Sequence, residues 1–387
     1  MHGGLRLAGV TAGIFGATVV LTGCTYRVDK KGVEEISLSS AAVVVQSVDF
    51  EAVRATNVVG LAKVQNTYSK PELEKALRVF SQALLRRDPR AEELNQVGLG
   101  LDAYSRVVEG MLQSDEFGEG LRSYFKNVFQ MTGAESGINL DEPSNLAVFL
   151  ASNDLDFRGI ITATDCYDND LKPILCTSFS TDAEAKKLAA GVLTTRAFLS
   201  KWASAFNFRR VSKTFSLFAC SEYPDTRDQG LTVEEISDKI KPFNSTTQTP
   251  VCYSCHRSMN PRAALFYQFD RKGKFNLNPN PSPAAGEVTV TDTGSASNIE
   301  DVLKPGVKSI YHGRVVTSVR EYALEFSKSQ LFRDCLAQRM VNLMLGRPAS
   351  QRMSPEMQDV RDNVEYNEFK IRRILHEIAL HPGFVRR

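Results

Sequence analysis

Two thiols and an imidazole stand within five residues at Cys252-Tyr253-Ser254-Cys255-His256. Thiols three positions apart can add to the two vinyl groups of one porphyrin. The histidine that follows then lies under the ring and offers a nitrogen to the iron. C-x-x-C-H is thus the attachment sequence of a covalent c-type haem, with Cys252 and Cys255 as thioether donors and His256 as proximal ligand. With 7 Cys and 5 His in the 387 residues, chance would supply about 0.002 matches. Two blander uses of the thiols fit less well. A structural zinc site wants a second ligand pair at finger-like spacing, and no second C-x-x-C occurs. A thioredoxin-like pair wants a strand-to-helix setting, but Thr249-Pro250-Val251 precedes this one and polar residues flank it.

The sixth iron position is not fixed by the motif. Met259 follows His256 by three residues, so on a helix continuing from the motif it lies on the proximal side. Between Arg257 and Leu331 the only histidine is His312, in Tyr311-His312-Gly313, which reads equally well as an exposed turn residue. Met340 and Met344 on the closing helix are its rivals, although methionine on an apolar stripe more often fills a core. Met131 could reach the iron only across a domain interface, and a vacant or water-filled position is also open.

Haem is joined to such thiols outside the cytoplasm, so the chain needs an export signal. Residues 1–6 carry one cation besides the terminus, and Leu7 to Leu21 are mostly apolar or small. Leu21-Thr22-Gly23-Cys24 then fits a bacterial lipobox, with Cys24 as the lipidated residue; a plain signal peptide or uncleaved anchor is the alternative. The run is too short and glycine-rich for a spanning helix. Thr25, not aspartate, follows Cys24, which points to an outer-membrane lipoprotein facing the periplasm. Three acyl chains anchor a protein firmly where one would be marginal.

The whole chain holds 47 basic and 45 acidic residues, a near balance that argues against nucleic acid as a partner. Its length exceeds what one small core usually needs. The expected division is a signal peptide over 1–23, a tether over 24–65, a helical domain over 66–175 and a haem-carrying domain over 176–387. Cys166, Cys176, Cys220 and Cys335 are left after the lipid and haem thiols, and an even remainder in an oxidising compartment invites pairing. Cys166 and Cys176, ten residues apart in a polar stretch, suit a loop-closing bridge. A Cys220–Cys335 bridge would join the segment before the haem motif to the closing helix, although both could be inert core thiols. The acidic residues Asp165, Asp168 and Asp170 lack the alternation and glycine of a calcium loop. His376 and His381 read as surface or cap residues at a helix C-terminus.

Helical periodicity positions these groups. Leu73, Ala76, Leu77 and Phe80 repeat at helical intervals after Pro71, as do Tyr104, Val107, Val108, Met111 and Leu112, and then Leu121, Tyr124, Phe125 and Val128. Residues 133–143 read as a loop, and 144–175 as a mixed stretch with short strands. Residues 181–221 look helical again, through Ala183 to Val192 and Phe198 to Phe206. Residues 276–298 form a polar excursion. Two closing helices carry Phe332, Cys335, Leu336, Met340 and Met344, and then Ile371, Ile374, Leu375 and Ile378. A faint echo relates 84–117 to 343–384, each reading apolar–Arg–Pro, helix, then a stop and Phe. The fold class is mainly α, with long loops.

Residues 252–275, with Cys252 to Pro261 followed by Phe269-Asp270-Arg271-Lys272-Gly273-Lys274-Phe275, resemble the haem segment of the planctomycete-type cytochrome c proteins. Phe218 to Pro224, Phe332 to Arg347 and Ile371 to Phe384 resemble further steps of that family in the same order. The likeness covers 195–387, and more loosely 70–130. Asn260, Ala263, Tyr267 and Asn276 depart from the family's usual Asp, Gly, Glu and Arg. The resemblance implies a monohaem domain on a helical scaffold and no settled reaction. The expected function is one-electron transfer with a protein redox partner. A peroxidase-like haem enzyme with an open distal side, and a docking subunit of an envelope complex, are the alternatives.

Overall fold

The computed structural model describes residues 68–204, 207–221, 259, 262–276, 309–311, 314–348 and 357–387. Cys24, Cys252, Cys255, His256 and His312 lie outside them, as do the signal peptide, the tether and most of the polar excursion.

The described chain is mainly helical, as its periodicity predicts. Helix α1 (Lys70–Leu84) begins where Ser69 caps it and Glu72 reaches back to the Ser69 amide at 2.7 Å. Pro71 sits in its first turn, where no amide hydrogen is missed. Its buried stripe is Leu73, Ala76, Leu77, Phe80 and Leu84. Helices α2 (Ala91–Val97), α3 (Leu101–Leu112) and α4 (Asp115–Phe129) follow. A two-residue hairpin, β1 (Ala134–Glu135) with β2 (Ile138–Asn139), occupies the expected loop.

The mixed stretch is different from its reading. It opens with a helix, α5 (Glu142–Ser152), and only then come α6 (Gly159–Thr162) and the hairpin β3 (Cys166–Tyr167) with β4 (Pro173–Ile174). In α5 nine of eleven residues are buried, polar Glu142, Ser144 and Asn145 among them, so no stripe marks it as a helix. The long helical reading of 181–221 divides into α7 (Asp182–Leu188), a 3-10 turn (Gly191–Thr194), α8 (Arg196–Lys201) and α9 (Phe208–Phe218). Thr181 and Thr195 supply the caps that separate α7 and α8. The hairpin β5 (Ser309–Tyr311) with β6 (Arg314–Val316) leads into α10 (Val319–Phe326), α11 (Gln330–Met344), α12 (Gln358–Asn363), α13 (Ile371–Leu380) and α14 (Pro382–Val385).

Contacts divide the chain at Gln65 and Asn66 and nowhere between Asn66 and Arg387. The segments 66–175 and 176–387, expected as separate domains, therefore share one core. The sequence echo has a counterpart in that core. The trios α1–α2–α3 and α11–α12–α13 follow the same order, and α1 packs on α11 while α3 packs on α13. The Tyr104 hydroxyl donates to the Ala379 carbonyl at 3.1 Å across this seam. No helix among the described residues is long and apolar enough to cross a membrane.

Candidate haem site

Both described flanks of the C-x-x-C-H segment are fastened to helix α9. On the N-terminal side, α9 buries Val211, Thr214, Phe215, Leu217 and Phe218, and the chain runs on to Cys220. Cys220 is bonded to Cys335 on α11, with the two Cα atoms 5.1 Å apart. One turn along α11, the buried Arg339 guanidinium donates to Leu217 O at 2.9 and 3.1 Å and to Ser216 O at 3.0 Å. These are C-terminal carbonyls of α9, the groups a helix leaves unpaired and a cation best satisfies. Burial pulls Arg339 below the ordinary arginine range, the nearby Tyr124 opposing that shift.

On the C-terminal side, Met259 packs half-buried against the core. Arg262 is buried at 1% exposure, its guanidinium 5.1 Å from the ring of Phe215, 5.3 Å from Tyr311 and 5.8 Å from Tyr322. Each such stacked cation–ring contact is attractive, more so when water is excluded. Phe215, Tyr311 and Tyr322 also surround Phe326, so hairpin β5–β6 and helix α10 pack around Arg262.

Further along, Arg210 of α9 uses all five of its N–H groups. They reach Leu199 O at 3.0 and 2.7 Å, Asn207 Oδ1 at 2.8 Å, Phe269 O at 3.0 Å and Asp270 O at 2.6 Å. Burial pushes Arg210 down to about 9, which leaves it charged at neutral pH. Phe269 pairs with Phe275 across the turn between them, and both rings pack on Phe179. The Phe275 amide donates to Ser178 O at 2.8 Å. Gly273 has φ +73°, and a Cβ there would lie 2.9 Å from Arg196 O, so glycine is required twice over.

The second predicted pair, Cys166 with Cys176, is also bonded, with Cα atoms 4.9 Å apart. It ties β3 to the strand that leads into Ser178 and Phe179, so it steadies the shelf under Phe275. The neighbouring acidic residues form a turn, in which Asp168 accepts from the amides of Asp170 and Lys172. No cluster of metal-binding side chains occurs among the described residues.

The rival distal ligands are placed differently. Met340 and Met344 are fully buried inside α11, which packs against α1, α9, α12 and α13. Both thioethers are enclosed by protein, so ligation would require them to leave that packing. His312 follows Tyr311, whose ring lies beside Arg262. Of the two histidines among the described residues, His381 caps α14 by accepting from the Gly383 amide at 3.0 Å and faces Asp359 at 2.9 Å. His376 meets Ser105 at 2.9 Å, and burial lowers its pKa.

Glu142 is a supporting residue that periodicity missed. It is wholly buried at the start of α5, accepts from Thr177 Oγ1 at 2.8 Å and lies against the amides of Arg196 and Ala197. Arg196 in turn donates to Lys272 O at 3.1 Å in the turn after the motif. Desolvation raises the Glu142 carboxyl above its ordinary 4.5, with Thr177 and those amides opposing. A raised acid binds its proton more tightly in the folded chain than in the unfolded one. Its stabilising contribution is full below the ordinary value and is lost as pH rises through the folded value. Thermal midpoints of wild type and Glu142→Gln should therefore diverge with pH, wild type falling relative to the variant as pH rises above the ordinary carboxyl value. An offset that is constant with pH would contradict this.

No known protein family matches the chain, and comparison with curated proteins and with solved structures finds none similar to it.

Proposed function

We propose that the chain is a lipid-anchored, monohaem c-type cytochrome that transfers single electrons in the bacterial cell envelope. The C-x-x-C-H sequence carries this reading, and its donor set fits the group. Cys252 and Cys255 would hold the haem through thioether bonds, and His256 would supply the proximal nitrogen. When bound, haem supplies an iron that exchanges one electron between ferric and ferrous states. The fastened flanks support the same reading, since a redox centre works best when rigid elements hold its attachment points. The Cys220–Cys335 bond and Arg339 restrain one side; Arg262 and Arg210 restrain the other. The enclosure of Met340 and Met344 favours a distal ligand other than these two.

The likeness of 252–275 to the planctomycete-type cytochrome c proteins makes membership of that family part of the proposal. The lipobox ending at Cys24 supports attachment to the outer membrane on its periplasmic side. Two disulfides are in keeping with an oxidising compartment.

A chain matured with a haem-ligation system should keep its haem through acid–acetone extraction and denaturing electrophoresis. Cys255→Ser should weaken that retention, and His256→Ala should change the axial ligation seen by optical and EPR spectra. A mature mass with zinc and without a covalent addition of haem size would overturn the proposal. A high-spin ferric spectrum that shifts with cyanide would favour a haem enzyme over a carrier.

A further inference from the structure

The chain is nearly neutral as a whole, but its charge is not evenly spread. Residues 185–221 contain seven Lys or Arg and no Asp or Glu; residues 262–276 add four and a single acid, Asp270. That leaves 36 basic and 44 acidic residues for the rest of the chain. The two basic stretches lie against each other. Arg196 donates to Lys272 O, Arg210 to Phe269 O and Asp270 O, and the Asn207 side chain to Ala263 O at 3.4 Å. The one acid is spent inside the turn, where Asp270 accepts from the Lys274 amide at 2.8 Å.

Five cations on this surface meet no carboxylate among the described residues. Lys201, Arg209, Lys272 and Lys274 point to solvent, and Lys213 rests 4.3 Å over the Trp202 ring. Elsewhere on the molecule several cations meet carboxylates, Arg87, Lys126, Arg158, Arg333 and Lys370 among them. Unpaired like charges repel, which opposes folding and is relieved by a complementary surface.

We infer that the basic face around α8, the start of α9 and the turn 270–274 docks an acidic redox protein. The inference rests on the haem reading, because the same turn begins fourteen positions after His256 in sequence and is clamped to α9 by Arg210. A field of one sign beside the electron-exchanging group raises the encounter rate and orients the partner, without the tight binding that would slow release. A protein is favoured over a membrane surface. Among the described residues the exposed large apolar ones (Leu99, Leu155, Leu175, Val315, Leu324 and Tyr366) all lie outside this face. Interfacial membrane binding leans on buried apolar side chains as well as on cations.

The test uses the full, haem-loaded chain and a reduced plant-type [2Fe–2S] ferredoxin as an acidic probe. One electron leaves the ferredoxin cluster and converts ferric haem to ferrous, followed by stopped-flow absorbance. The second-order rate should fall about tenfold or more between about 20 and about 300 mM salt. The triple variant Lys201→Glu, Lys272→Glu, Lys274→Glu should lose about tenfold at low salt. A control variant, Lys70→Glu, Lys172→Glu, Lys328→Glu, reverses three exposed cations elsewhere and should keep most of the wild-type rate.

Equal rates for the two triple variants, or a rate indifferent to salt, would overturn the docking surface. So would charge-dependent binding of phosphatidylglycerol vesicles by wild type when the ferredoxin rate is unaffected by the first triple variant. Haem staining of the denatured chain reports separately. A chain without covalent haem refutes the electron-transfer reading, and the docking inference with it. A stained chain whose rates ignore the substitutions refutes docking alone.

Discussion

Replacing Cys220 and Cys335 together by serine should cost about 5 kcal/mol of unfolding free energy, the chain-entropy value for a loop of this length. The bonded residues are 115 apart in sequence. The corresponding value for Cys166 and Cys176, only 10 apart, is about 3 kcal/mol. The longer bridge should therefore dominate, and it is the one that links α9 to α11. Arg339 and its three bonds to Ser216 and Leu217 survive the double substitution, so the helix pair should still form. Urea unfolding checks this. The double serine variant should unfold at lower denaturant, and adding reductant to wild type should bring its curve to or below that of the variant. Coincident midpoints for oxidised wild type and variant would show that the bridge contributes nothing.

The disulfide framework was legible because cysteine counts are discrete: setting aside the C-x-x-C-H pair and the lipobox cysteine leaves four. Helices α1, α3, α4 and α13 were legible as well, since each buries one stripe and exposes the other side. Helix α5 was not. It is covered by α4, β3 and the 3-10 turn on different sides, so its buried residues do not repeat at helical intervals. Contacts nonetheless group Asn66–Arg387 as one compact unit. Length suggests two cores, but the pairing of α1 with α11 and of α3 with α13 brings the chain's two ends into one.

The polar hubs of the site were hidden more deeply. Arg210, Arg262, Arg339 and Glu142 look like ordinary surface residues in sequence, and charged side chains are rarely buried. A signal was available for one of them. Arg210 lies in a stretch of 37 residues free of Asp and Glu (185–221), where no carboxylate is near in sequence to pair with it. Backbone carbonyls are then the acceptors it can reach, and carbonyls belong to loops and helix ends that periodicity does not place.

That dependence makes Arg210 the most consequential single residue of the scaffold around the turn 270–274. Arg210→Met keeps much of the apolar stem and removes every donor, leaving the Leu199, Phe269 and Asp270 carbonyls without it. Unsatisfied buried acceptors cost about 1–3 kcal/mol each. Relief of burying the guanidinium offsets part of this, so a net loss of about 3–5 kcal/mol is expected. Arg210→Lys should recover only part of it, because three rotating donors on one atom cannot reach acceptors spread around a planar fork. The damage should also be local. The turn 270–274 carries Arg271, Lys272 and Lys274 on its surface, all sites for trypsin. In native buffer, tryptic cleavage within that turn should accelerate in Arg210→Met before cleavage in α1 or α13 does. Uniform acceleration at all sites would mean that Arg210 supports the whole unit and has no special hold on the segment after the haem motif. A stability loss below about 1 kcal/mol would remove it from both roles.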